Sequence, residues 1–155
     1  MKILCINTTG GYFGGVEQHI AMVARAMGER GHQVSFVSKN REGRDWDAFA
    51  ELFTGCDLCS QEPLGTIVPR IAPDVIYLHK YPSVGEVLEA AGGVPVVRMI
   101  HDHDIYCPRR HKYFFHNQAI CRRAAGCICY ADLAFLERRG GRIRFVSVAA
   151  KLREL

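Results

Sequence analysis

Residues 2–38 read as strand, glycine-rich turn, helix and strand, and no other feature of the chain restricts its fold as strongly. Lys2 to Asn7 (KILCIN) is a short apolar run that suits a buried strand entering a turn at Thr8, Thr9 and Gly10. Val16, Ile20, Val23, Ala24 and Met27 then recur at helical spacing, Glu17 stands in the first turn where the macrodipole favours an anion, and Gly31 supplies a left-handed stop. Gln33 to Ser38 (QVSFVS) is β-branched and aromatic, as a strand should be. Together these segments have the length of a right-handed βαβ unit, which opens a parallel sheet.

The alternation continues along the chain. Asp45 to Phe53 is expected to form a short helix carrying the single Trp, and Asp57 to Ser60 a strand. Leu64 to Val68 is expected to be helical until Pro69 interrupts it. Val75 to His79 (VIYLH) reads as a fully buried strand, Ser83 caps a helix that runs to Ala91 before Gly92 and Gly93, and Pro95 to His101 (PVVRMIH) is the next strand. Ala131 to Arg138 is expected to be helical, Ile143 to Val148 a last strand, and Ala149 to Leu155 the start of another helix. The fold class is therefore α/β, a Rossmann-like doubly wound parallel sheet in a single domain over residues 1–155, with a long Cys/His-rich loop after the fifth strand. A closing helix without a stop signal suggests a fragment of a longer protein.

Composition narrows the class further. Apolar residues make up 48% of the 155 and charged residues 23%, which excludes disordered, collagen-like and coiled-coil chains. No apolar stretch approaches the roughly 20 residues that span a bilayer, and the amino terminus lacks a signal-peptide core. Seven cysteines, an odd count, fit free or metal-bound thiols in a reducing cytosol, so the expected location is cytoplasmic, with peripheral contact at the inner membrane surface as the furthest departure. The net charge of +4 is local: Arg98, Arg109, Arg110, Lys112, Arg122 and Arg123 face only Asp102 and Asp104, while the rest of the chain carries fourteen charges of each sign. Four of the seven histidines, His101, His103, His111 and His116, fall in the same window.

Gly10, Gly11, Gly14 and Gly15 lie between the first strand and first helix, where a backbone can turn tightly and an anion can approach helix N-terminal amides. The GGxxGG spacing lacks both the GxGxxG dinucleotide fingerprint and the GK[ST] of a P-loop, and Ser38, Lys39 and Asn40 offer no acid to an adenosine ribose. A turn that is tight for packing alone accounts for the glycines equally well. Glu17 would repel a phosphate, so it is expected to bond either sugar hydroxyls or a nearby amide.

The segments GGYFGGVEQHIAMVARAMGERGHQVSFVS and VVRMIHDHDIYCP resemble the N-terminal half of a GT-B fold glycosyltransferase of family 4 over nearly the whole chain. The resemblance rests on the Gly14-Gly15-Val16-Glu17 turn, the helix ending in Gly31 and His32, the strand ending in His101 and Asp102, and Cys107 with Pro108. It implies one half of a two-domain enzyme that transfers a sugar from a nucleotide-sugar donor with retention of configuration and without a catalytic metal. The N-terminal half would bind a glycan or lipid-linked acceptor. Gly14 and Gly15 would lie near the donor phosphates, with Glu17 beside them, and His101 would face the reacting sugar. Independently of that resemblance, a neutral imidazole at a strand end can donate or accept at a sugar hydroxyl, and Asp102 could set its tautomer. His79, also at a strand end, is a second candidate for ligand binding. The missing half holds the nucleotide, so the chain alone is expected to be inactive.

Cys107, Cys121, Cys127 and Cys129 give C-x13-C-x5-C-x-C within one loop. A structural zinc would supply folding energy that the loop's side chains lack, while reduced thiols or a disulfide are the alternatives. Cys56 and Cys59 have the spacing of half a metal site but no partner pair nearby, and reduced thiols are the simpler reading. Arg109 to His116 (RRHKYFFH) mixes cations with aromatics, which suits an acceptor surface through Arg109 and Arg110, or a solvated loop with packed rings. A sequence pI of 8.7 is too mild for nucleic acid. Two other functions fit the residues: a non-catalytic binding module that presents a zinc-stapled basic loop to an anionic polymer, and half of a sugar-nucleotide epimerase.

Overall fold

A computed structural model describes residues 1–103, 107, 112–114, 119–124, 126, 129, 136–139 and 142–145. The described residues fall into two compact units, 1–101 and 102–155.

The first unit is a five-stranded parallel sheet with helices on both faces. Its elements are β1 (Lys2–Thr9), α1 (Gly15–Gly28), β2 (Gln33–Asn40), α2 (Trp46–Ala50), β3 (Gly55–Leu58), α3 (Leu64–Ile71), β4 (Val75–Leu78), α4 (Val84–Ala91) and β5 (Val96–Arg98). The strand order is β3-β2-β1-β4-β5 and every pairing is parallel. The βαβ opening and the doubly wound sheet thus form as the alternating apolar and turn segments imply. Within β1 the apolar run splits by face: Ile3 and Cys5 pack with Ile20, Ala21 and Ala24 of α1 and with Phe36, Phe49 and Phe53. Leu4 and Ile6 pack the other way, with Ile67 and Val68 of α3 and Val87 of α4. Burial on both faces is why KILCIN shows no alternation. Cys56 and Cys59 also lie on opposite faces, one against each core, and so do not converge as half of a metal site.

Several element boundaries differ from expectation. Helix α3 runs through Pro69 to Ile71. Pro69 and Gly65 are both exposed, so the carbonyl that Pro69 cannot bond faces solvent, while Leu64, Ile67 and Val68 stay buried on the inner side. Strand β3 starts two residues before the expected Asp57, because Gly55 pairs with Ser35. Strand β5 is an edge strand of three residues rather than seven. Its last link to β4 is Met99 N–H to Leu78 O at 2.8 Å, and His101 lies beyond the paired segment.

In the second unit, Tyr113–Phe114 (β6) pairs antiparallel with Ala119–Ile120 (β7), inside the stretch expected to be irregular. Leu136–Arg139 (β8) pairs antiparallel with Arg142–Phe145 (β9). The helix expected over Ala131 to Arg138 is therefore a strand in its last three residues, and the last strand joins a hairpin instead of the parallel sheet. The sequence between the two paired strands reads Gly-Gly, a pair common in hairpin connections, and that local signal was passed over in favour of the helical spacing read upstream of it. Residues 131–135 and the helix expected over Ala149 to Leu155 lie outside the described residues.

Candidate functional site

The strand order places a topological switch between β1 and β4. The chain builds outward from β1 through β2 to β3, then crosses to β4 on the other side, and such crevices are where open α/β sheets take ligands. Asn7 ends the buried part of β1 and His79 directly follows β4; both are 1% exposed. Asn7 Nδ2 donates to Glu17 Oε1 at 2.9 Å and to the Thr9 carbonyl at 2.9 Å, and its Oδ1 accepts from the Lys80 amide at 3.1 Å. Thr8 Oγ1 donates to the Lys80 carbonyl at 2.8 Å. One side chain therefore ties the first strand, the first helix and the β4–α4 turn together. Asn7 was not singled out in the sequence; a polar residue closing an otherwise apolar strand was the available signal.

Glu17 is 6% exposed, and both of its carboxylate oxygens accept hydrogen bonds. Oε1 takes the Asn7 amide and Oε2 takes the Gly14 backbone N–H at 2.9 Å. Of the two kinds of partner expected for it, the amide is the one present, and the carboxylate shapes the glycine turn from beneath.

The four glycines separate into two pairs with different reasons. A Cβ on Gly10 would collide with Trp46, and one on Gly11 would sit 2.8 Å from the Gly43 backbone, with φ already at +84°. Their identity is dictated by packing: Tyr12 and Arg44 bridge the same two loops, and the Arg41 guanidinium lies 4.3 Å from the Trp46 ring centroid. A Cβ on Gly14 would meet only Glu17 Oε2 at 3.7 Å, and one on Gly15 would meet nothing within 4 Å. Gly14 is also in extended backbone that any residue adopts. Nothing in the fold demands glycine there, and the space above the N-terminus of the 14-residue α1 is open.

Three imidazoles gather at the same edge. His79 Nδ1 lies 2.8 Å from His101 Nε2, with the rings stacked at 5.1 Å. His19 of α1 presents its ring edge-on, 5.5 Å from His101 and 6.0 Å from His79. Burial, with the His101 and His19 rings nearby, pushes the His79 pKa down to about 3, so the ring stays neutral. Buried polar atoms without a partner concentrate here too. Among the described residues they are His19 Nε2, Ser38 Oγ, Asn40 Oδ1 and His79 Nε2, on α1 or at the carboxyl ends of β2 and β4. Such orphans are rare in folded proteins and call for a ligand or a solvent partner. An open groove of about 430 Å³ along α1, walled by Tyr12, Met22 and Arg25, holds none of them.

A model of glycosyltransferase family 4 matches residues 13–133. The chain belongs to that family. No curated protein and no solved structure matches it. Membership implies the binding of a sugar nucleotide and an acceptor in general, and accounts for the α/β sheet. The family 4 domain brings two candidates, His79 and His101, into direct contact, and sets Gly14, Gly15 and Glu17 at the start of α1 beside Asn7. Asp102 follows His101 and belongs to the second unit, where it is half-buried. Arg109, Arg110 and Cys127 lie outside the described residues. Cys107, Cys121 and Cys129 are half-buried free thiols, and among the described residues no three His, Cys, Asp or Glu side chains come together as a metal site. Nor does any helix among them have the length and apolarity to cross a membrane.

Proposed function

We propose that this family 4 domain is the acceptor-binding half of a nucleotide-sugar-dependent glycosyltransferase that acts with retention of configuration. Donor phosphates approach the N-terminus of α1 at Gly14 and Gly15, where the helix dipole and the absence of side chains favour an anion. The reacting sugar lies over His101, and the acceptor over the edge formed by β1, β4 and the residues after β5. The observation that carries this reading is the set of unpartnered buried polar atoms on α1 and at the carboxyl ends of β2 and β4, beside two glycines that the fold itself does not require. Sugars are the ligand class that supplies many hydroxyls to such atoms.

In this reading the chemistry uses no metal ion. The four cysteines of the second unit are kept for a structural zinc or for reduced thiols, and metal analysis of the purified chain separates the two. Residues 1–155 by themselves transfer no sugar, because the nucleotide is gripped from the facing domain. The test is binding of UDP-glucose and GDP-mannose to the wild-type chain and to Gly14→Val, read by saturation-transfer NMR. Weak binding of one donor that Gly14→Val abolishes supports the reading. Binding unaffected by Gly14→Val, or steady donor hydrolysis by the wild-type chain, overturns it.

A further inference from the structure

The proton in the His79–His101 contact can sit on either ring, and the surroundings decide which. With Nδ1 of His79 2.8 Å from Nε2 of His101, one nitrogen must donate and the other accept. If His101 donated, the single proton of a neutral His79 would have to sit on Nε2, an atom that is buried and has no partner. If His79 donates from Nδ1, its Nε2 is only a bare lone pair. A buried N–H without an acceptor is rarer and costlier than an acceptor without a donor. A doubly protonated His79 is closed off as well, since the ring is 1% exposed and its pKa is pushed down to about 3. Among the described residues, His19 from α1 and Tyr77 from β4 also pack rings against the pair, the latter 4.3 Å from His79.

We propose that His79 is a positioning residue whose Nδ1–H donates to His101 Nε2 and fixes His101 in the tautomer protonated at Nδ1. With Nε2 occupied, His101 does not act as a base through that atom. A group that meets His101 on its Nδ1 side therefore meets an N–H and not a lone pair. That such a group is a sugar oxygen rests on the function proposed above; the tautomer does not. His79 was a weaker candidate in the sequence because its 22-residue separation from His101 hides the contact that the β4–β5 pairing creates.

Long-range ¹H–¹⁵N correlation spectra of the histidine side chains, recorded on the ¹⁵N-labelled chain near neutral pH, test this directly. Both His79 and His101 are expected to show a protonated Nδ1 and a bare Nε2. His79→Asn retains an N–H donor close to the original Nδ1 and should leave the His101 tautomer unchanged. His79→Asp offers only an acceptor, and should move the His101 proton to Nε2 or charge the ring. A wild-type His101 protonated at Nε2 overturns the proposal, as does an unchanged His101 tautomer in His79→Asp. The wild-type spectrum decides even if both variants fail to fold. Adding UDP-glucose to the wild-type chain separates the two claims: the expected tautomer with no response of the His101 ring leaves the positioning role standing and sinks the sugar reading.

Discussion

Acidifying the wild-type chain from pH 7 to pH 5 should remove about 2 kcal/mol of stability that a His79→Asn variant does not lose. Burial first, and then the neighbouring His101 and His19, lower the His79 pKa from 6.5 to about 3 in the folded chain. Unfolded, the same ring binds its proton near pH 6.5. Below that pH the unfolded chain therefore holds one more proton than the folded chain. The stability at stake is intact above pH 6.5 and falls as the pH drops toward 3, by up to about 1.4 kcal/mol per pH unit. At pH 5, about 1.5 units below the unfolded value, the loss comes to about 2 kcal/mol. Carboxylates titrate alike in both proteins and cancel in the difference. Urea unfolding followed by circular dichroism at pH 7, 6 and 5 gives the two stability curves. Parallel curves for wild type and variant would show that His79 titrates normally, and would refute its burial as a neutral ring.

Other consequences follow from the packing. Gly11→Ala should destabilise the chain by about 2–3 kcal/mol, since it adds a left-handed non-glycine residue to a collision with the Gly43 backbone, whereas Gly14→Ala should change stability by less than about 0.5 kcal/mol; paired thermal melts check both. Asn7→Ala leaves Glu17 Oε1, the Lys80 amide and the Thr9 carbonyl without their partner and should cost about 3 kcal/mol, with faster amide exchange at Lys80. Burial raises the Cys5 thiol to about 12 and the Cys56 thiol to about 11, so iodoacetamide near pH 8 should leave both unmodified in the folded chain, as read by peptide mass mapping.

The first unit was legible because its core is written in runs. KILCIN, QVSFVS and VIYLH are apolar segments between turn residues, and helix signals such as Ser83, whose hydroxyl accepts from the Glu86 amide at 3.2 Å, act through a few neighbouring residues. What failed was governed by solvent exposure or by distant pairing. Pro69 stays inside α3 because it faces outward, and the strand at Leu136–Arg139 depends on a partner across a Gly-Gly dipeptide. The site divides similarly. His79, His101, Gly14 and Glu17 could each be picked out by position along the chain. Their relations could not: Asn7 as the tie between three elements, the separation of the glycines into packed and open pairs, and the imidazole contact all arise from the β1-β4-β5 order.

The proposed function requires the carboxyl edge of β1 and β4 to be a sugar-nucleotide surface. Backbone and side-chain chemical-shift mapping of the labelled chain with millimolar UDP- and GDP-hexoses measures this most directly. The predicted result is a contiguous set of shifts at Asn7, Gly14, Gly15, His79 and His101 for at least one donor. Shifts confined to the second unit, or absent at all five positions for every donor, would contradict it.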